Sequence, residues 1–250
     1  MTVIKLCGLR EPEEIALVNE LRPDKVGFML YDKSKRYCPK ERLVALKAQL
    51  DPAIAAVGVA VNAAPQELAA LVAQGLLDEL QLHGQEDEAY LEQLRQLLAA
   101  PGSKPVTISQ AFSIKSSVDL ERALKSSADC LLLDAGSGGS GKCFDWSLLT
   151  PELRAQLKAR PWLLAGGLNP NNVATAIQHL APYGVDVSSG IEEPEGSGHK
   201  SLALMRAFCA AVRAADGVAL AADGAALAAD GAAFAADGAA FHAADSDMCC

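Results

Sequence analysis

The sequence has no run of about eighteen apolar residues free of an interrupting charge, which argues against a transmembrane helix. Its first residues, Met1-Thr2-Val3-Ile4-Lys5-Leu6-Cys7, lack the basic head and apolar middle of a signal peptide. Basic charge is not in excess: 22 Lys and Arg stand against 31 Asp and Glu, a formal net charge of -9. Such a surface disfavours nonspecific binding to nucleic acid or to an anionic membrane. A paired cysteine framework is absent too. The seven cysteines are odd in number and scattered, several in apolar patterns, which suits reduced thiols in a cytoplasm. No dinucleotide fingerprint follows an early strand, because the first apolar run ends in Cys7-Gly8-Leu9-Arg10. What is present is globular composition, 50% hydrophobic and 21% charged over 250 residues.

Short apolar runs alternate with helix-period stretches over about the first 215 residues, giving eight expected strands and eight expected helices. Strict alternation argues for parallel strands joined by helical crossovers. Eight such units at this length predict an α/β fold, a single (β/α)8 TIM barrel over 1–215, rather than an open doubly wound sheet. The stretch from Leu131 to Trp146 anchors this reading. Leu131-Leu132-Leu133 has no polar residue to mark a wet side, so a strand buried on both faces is expected, with Asp134 at its C-terminal end. Four glycines between Gly136 and Gly141 let the next loop bend sharply and close over a ligand, and a helix is expected over 146–159.

Beyond Ala214 the composition changes. Asp216-Gly217 recurs with a period of seven at Asp223-Gly224, Asp230-Gly231 and Asp237-Gly238. One large apolar residue per repeat makes too thin a stripe for a coiled coil, and each glycine costs a helix about 1 kcal/mol relative to alanine. Residues 216–250 are therefore expected to form a low-complexity tail, weakly helical or disordered and dispensable for chemistry. A docking helix for a partner is the alternative.

In a parallel barrel the functional groups sit at the C-terminal ends of the strands. Cys7 ends the first strand, Arg36 lies in the loop after the second, His83 ends the fourth and Asp134 ends the sixth. Gly166-Gly167 and Ser188-Ser189-Gly190 follow the seventh and eighth. Singly, each has an ordinary structural reading: a packed thiol, a hydrogen-bonded histidine, a solvated arginine. Their coincidence on one rim favours a site. The glycines let the backbone approach a ligand, and the serines offer N–H groups and hydroxyls, a pattern that commonly holds a phosphate in these barrels. Cys7 and Asp134 are expected to face each other across the mouth, and two proton carriers so placed suit an isomerisation. An unperturbed thiol titrates at about 8.5, so Cys7 needs a positive neighbour to act as a base. Lys5, on the same strand face, is the candidate. Asp134 must be protonated to act as an acid, which burial beneath the glycine-rich loop would favour.

Several motifs then occur in order between residue 3 and about residue 213: Lys5-Leu6-Cys7-Gly8, Gln81-Leu82-His83-Gly84, Leu133-Asp134-Ala135 with Gly139-Ser140-Gly141 and Phe144-Asp145-Trp146, Ala165-Gly166-Gly167-Leu168-Asn169-Pro170, and Val185-Asp186-Val187-Ser188-Ser189-Gly190-Ile191-Glu192. Together they resemble the phosphoribosylanthranilate isomerase family of tryptophan biosynthesis. The resemblance implies a cytoplasmic barrel enzyme performing an Amadori rearrangement without cofactor or metal. N-(5-phosphoribosyl)anthranilate becomes 1-(2-carboxyphenylamino)-1-deoxyribulose 5-phosphate. It implies Asp134 as general acid on the furanose ring oxygen and Cys7 as general base at C2′. Arg36 is implied near the anthranilate carboxylate, the loops at Gly166-Gly167 and Ser188-Ser189-Gly190 at the phosphate, and His83 in positioning the site. The expected partner is a small-molecule phosphoribosyl substrate, with no nucleic acid and no membrane, and the expected assembly a monomer or homodimer. The chain departs from the family at Ser34-Lys35-Arg36, where Ser-Pro-Arg is usual, so a less rigid loop is expected around Arg36. Ser140 stands where threonine is common. The analogous isomerase of histidine biosynthesis resembles a two-carboxylate machine, and Cys7 argues against it. A non-catalytic phosphoribosyl-binding barrel would leave the Cys7 and Asp134 pair unexplained.

Overall fold

A computed structural model describes residues 1–99, 105–134 and 148–217. The glycine-rich loop after Asp134 and the repeat tract past Gly217 lie outside these residues. Strands β1 (Val3–Cys7), β2 (Lys25–Met29), β3 (Ala55–Ala60), β4 (Glu79–Leu82), β5 (Thr107–Ser113), β6 (Cys130–Asp134), β7 (Trp162–Leu164) and β8 (Gly184–Val187) pair in chain order into a closed parallel barrel. Closure is made by β8 on β1, in register from Val3 opposite Gly184 to Leu6 opposite Val187. The crossovers carry α1 (Pro12–Leu21), α2 (Lys40–Lys47), α3 (Pro65–Ala73), α4 (Glu88–Leu98), α5 (Ser117–Lys125), α6 (Pro151–Leu157) and α7 (Val173–Leu180). Residues 202–217 are helical and form α8. This is the single (β/α)8 barrel that the alternation predicts.

Local chemistry sets the helix starts. Pro12 opens α1 behind a capping box of Glu11 and Glu14. The Asp87 carboxylate accepts from the Tyr90 amide at 2.9 Å to open α4. α6 begins at Pro151, not at Trp146 as the apolar pattern suggests. Thr150 caps it, its hydroxyl accepting from the Leu153 amide at 3.4 Å, and Pro151 fills the first turn where no amide is needed.

Among the described residues the core has two parts. A large layer, including Leu6, Phe28, Leu43, Leu82, Leu131, Leu133 and Phe208, unites residues of the strands and helices. A small cluster of Cys130, Leu132, Leu163 and Ala165 is contributed by β6, β7 and the residue following β7. Polar side chains take the corresponding strand faces elsewhere: Lys5 pairs with Asp186 at 2.7 Å and Lys25 with Glu79 at 2.7 Å. Asp216, which opens the repeat tract, is bound to the barrel. Its carboxylate accepts from the Thr2 amide at 2.8 Å and the Thr2 hydroxyl at 2.6 Å.

Candidate active site

The C-terminal ends of the strands surround a cavity of about 930 Å³. Cys7, Arg36, His83, Asp134, Gly166, Gly167, Ser188 and Ser189 all line it, so residues spread over 180 positions of sequence meet in one space. Cys7 and Asp134 stand on β1 and β6, three strands apart around the barrel, and share this cavity. Gly190 does not line it. A Cβ there would lie 1.9 Å from the Leu168 carbonyl oxygen, so this glycine lets the loops after β7 and β8 touch.

Cys7 is buried at 5% exposure, with Gly27 beside it on β2. A Cβ on Gly27 would come within 2.7 Å of the Cys7 sulfur, so the thiol occupies space that only glycine leaves. Burial pushes the thiol above its ordinary value, and Asp186 adds to this. Lys5 and Lys200 pull in the opposite direction without cancelling it. Lys5 acts on the thiol in the sense its strand position predicts, but burial is the larger effect. The ammonium of Lys5 is itself buried. Burial disfavours its charge, and Asp186 and Cys7 more than restore it, leaving Lys5 held protonated.

The loop carrying Arg36 has no proline, yet it is tied at several points. The Arg36 amide donates to Ser34 Oγ at 3.1 Å. Arg10 donates through Nη1 to the Lys35 carbonyl and through Nη2 to the Gly198 carbonyl, both at 2.9 Å. The guanidinium of Arg36 forks onto Glu192, Nε to Oε1 at 2.5 Å and Nη2 to Oε2 at 2.9 Å. Glu192 also accepts from Lys200 Nζ at 2.8 Å and from the Gly198 amide at 3.0 Å. Burial alone would raise the Glu192 carboxyl, but Arg36, Lys200 and Gly198 outweigh it and hold the group down to about 2. Lys200 and Glu192, with fully buried side chains, are among the residues the sequence reading missed. Glu192 lies at the end of a quoted motif, and nothing local in the sequence ties Lys200 to it.

Lys200 also donates to the Ser188 carbonyl at 2.9 Å and to Ser188 Oγ at 3.3 Å, and that hydroxyl donates to the Cys7 carbonyl at 3.1 Å. The Ser188 hydroxyl therefore locks β8 to β1. Ser189 begins a short 3-10 turn, Ser189–Ile191. Gly166 and Gly167 adopt φ of +84° and +66°, a conformation that favours glycine. On the facing wall, Gln81 Nε2 lies 3.2 Å from His83 Nδ1, and His83 Nε2 lies 4.0 Å from Asp134 Oδ2. With the Gln81 amide in this orientation Nδ1 is the acceptor, which places the proton of a neutral imidazole on Nε2, on the Asp134 side.

This arrangement can place a proton donor and a proton acceptor on one small ligand while cations and glycine turns hold its charged ends. The chain is similar to known proteins in the same sense. The family model of N-(5′-phosphoribosyl)anthranilate isomerase matches residues 4–211. An N-(5′-phosphoribosyl)anthranilate isomerase of Acetivibrio thermocellus is 41% identical over 221 residues, covering 87% of this chain and 98% of that protein. Among solved structures, a phosphoribosyl anthranilate isomerase in complex with reduced 1-(o-carboxyphenylamino)-1-deoxyribulose 5-phosphate superposes with a TM-score of 0.73. It is 32% identical and covers 86% of this chain and 100% of that one. A generated monomer of the dimeric phosphoribosylanthranilate isomerase from Thermotoga maritima has a TM-score of 0.73 at 33% identity, over 86% and 100%.

Proposed function

The chain belongs to the N-(5′-phosphoribosyl)anthranilate isomerase family, and from that premise we propose how its residues divide the work of the reaction. The enzyme isomerises N-(5′-phosphoribosyl)anthranilate in tryptophan biosynthesis. The product is 1-(2-carboxyphenylamino)-1-deoxyribulose 5-phosphate. Every heavy atom of the substrate is kept, so the chemistry needs proton transfers and one ring opening.

Asp134 gives a proton to the furanose ring oxygen, the C1′–O bond breaks, and the nitrogen lone pair closes a Schiff base at C1′. The Cys7 thiolate takes the proton from C2′, and the resulting enolamine tautomerises to the C2′ ketone. Each proton carrier of this kind contributes about 10²–10⁴-fold. Lys5 and Lys200 favour the thiolate against the burial that opposes it. The iminium formed at C1′ adds positive charge at the step that needs the base. Arg36, oriented by Glu192, pairs with the anthranilate carboxylate. The turns at Gly166-Gly167 and Ser188-Ser189 receive the phosphate, with Gly190 holding the two loops in contact. His83 directs its Nε2–H toward Asp134 and the substrate.

Residues 1–215 constitute the isomerase domain, extended in its contacts by Asp216, and the repeat tract beyond is dispensable for turnover. Free, buried thiols at Cys7, Cys38, Cys130 and Cys209 support a reducing, cytoplasmic setting. Among the described residues no helix is long and apolar enough to cross a membrane. The assembly is a monomer or homodimer.

The observation that carries these roles is the shared cavity of Cys7 and Asp134, flanked by Arg36 and the two glycine turns. Complementation of a tryptophan auxotroph lacking this isomerase tests them. The wild-type gene should restore growth, and Cys7→Ala and Asp134→Asn should not. Growth supported by either variant would remove that residue from its role.

A further inference from the structure

One polar side chain in the cavity has no place in the roles above. Gln81 lies on β4 two residues before His83, so it shares the inward face of that strand one step deeper in the barrel. It is 1% exposed and lines the cavity. Its Nε2 serves His83, but its Oε1 is buried with no hydrogen-bond partner among the described residues. The strand neighbours do not supply one. Val59, opposite on β3, is apolar, and the Ser109 hydroxyl on β5 donates instead to the Leu80 carbonyl at 3.2 Å. A buried carbonyl-type oxygen left unpaired is costly, and such groups are nearly always satisfied by something.

Resting on the isomerase reading, we propose that Gln81 is a substrate-contacting specificity residue whose Oε1 accepts a hydrogen bond from a hydroxyl of the ribose-derived chain. The atom is an acceptor only, so the ligand must bring a donor. That excludes the ionised phosphate and carboxylate, which are acceptors and are assigned to β7, β8 and Arg36. β4 lies four strands from β8 in the closed ring, diametrically across the mouth. A chain anchored by its phosphate at β8 presents its middle, where the hydroxyls are, to β4. The same amide fixes the His83 tautomer, so one residue reads the sugar and aims the imidazole.

The test compares wild type with Gln81→Met, which keeps the length and removes the amide. Affinity is measured by calorimetry for two probes. The first is reduced 1-(o-carboxyphenylamino)-1-deoxyribulose 5-phosphate. The second is 5-[(2-carboxyphenyl)amino]pentyl phosphate, which keeps both charged ends and has no chain hydroxyl. The variant should bind the first about three- to tenfold more weakly, as loss of one neutral hydrogen bond predicts, and the second unchanged. Equal weakening for both probes, or none for either, overturns the proposal. Nitrogen NMR of His83 should show the proton on Nε2 in wild type, with that preference lost in Gln81→Met. A proton on Nδ1 in wild type overturns it as well. A wild-type protein that does not turn over N-(5-phosphoribosyl)anthranilate would instead sink the underlying isomerase reading.

Discussion

Replacing Gly27 with alanine adds one methyl group at the point where β2 passes the Cys7 thiol. That carbon would sit 2.7 Å from the Cys7 sulfur and 3.2 Å from the Cys7 Cα. Ordinary heavy-atom contacts are about 3.5–4.0 Å, so the sulfur or the strand must yield by about 1 Å. A displacement of about 1 Å in a reacting group can cost about 10²-fold in rate. Overpacking of a filled core costs about 1–3 kcal/mol of stability. Gly27→Ala should therefore fold, lose about 10²-fold in kcat/KM for N-(5-phosphoribosyl)anthranilate, and unfold at lower urea. In a Cys7→Ala background the 2.7 Å contact is gone and only the contacts at 3.2 and 3.3 Å remain, so the stability cost of the glycine substitution should shrink. Steady-state kinetics and urea unfolding of the four proteins make the comparison. A folded Gly27→Ala enzyme with full turnover would refute the reasoning that the seating of the sulfur sets the rate. An equal stability cost in both backgrounds would refute the contact itself.

Three other outcomes follow from the same geometry. Glu192 is held down to about 2 in the folded chain against 4.5 ordinarily, so its contribution to stability is present above about pH 4.5 and is lost as pH falls toward 2; Glu192→Gln should flatten acid unfolding in that window, and an unchanged pH profile would count against the Arg36–Glu192–Lys200 network. Burial pushes the Cys7 thiol above its ordinary value, so alkylation of Cys7 by iodoacetamide should be slow at pH 7 and still rising above pH 9; a plateau by pH 7 would contradict it. Truncation after Gly217 should leave stability and turnover intact, whereas truncation after Ala214 removes buried Ala215 and the Asp216 bonds to Thr2 and should cost about 1–3 kcal/mol in urea unfolding; equal stability of the two truncations would show that Asp216 contributes nothing.

What the sequence disclosed depended on how local the signal was. β6 and β4 were legible to the residue, because Cys130–Asp134 is a short apolar run closed by a carboxylate and Glu79–Leu82 is a short polar–apolar alternation closed by His83-Gly84. The rim residues were legible because a strand's end is readable from its own neighbours. The start of α6 was missed although Thr150-Pro151 is a start signal, since apolar residues upstream extended the helical pattern past it. Glu192 meets Arg36, and Gly27 meets Cys7, only when segments distant in sequence come together, and the Glu192–Lys200 and Gln81–His83 pairs, though near in sequence, carry no spacing signal of their own. No periodicity marks them: a buried lysine reads like any exposed lysine until its carboxylate partner, here Asp186 for Lys5, is brought to it from 181 residues away. Separation in sequence also hid the compensation around Arg36, where Arg10 and Glu192 do the holding that a proline would otherwise assist.

The pairing of Cys7 with Asp134 as base and acid is tested most directly by single-turnover conversion of N-(5-phosphoribosyl)anthranilate by wild type, Cys7→Ala and Asp134→Asn. The binding of reduced 1-(o-carboxyphenylamino)-1-deoxyribulose 5-phosphate serves as the check that each variant keeps its site. Both variants should bind this ligand and should each lose at least about 10²-fold in the rate of conversion. Conversion by either variant within a few-fold of wild type, with binding retained, would contradict the assignment.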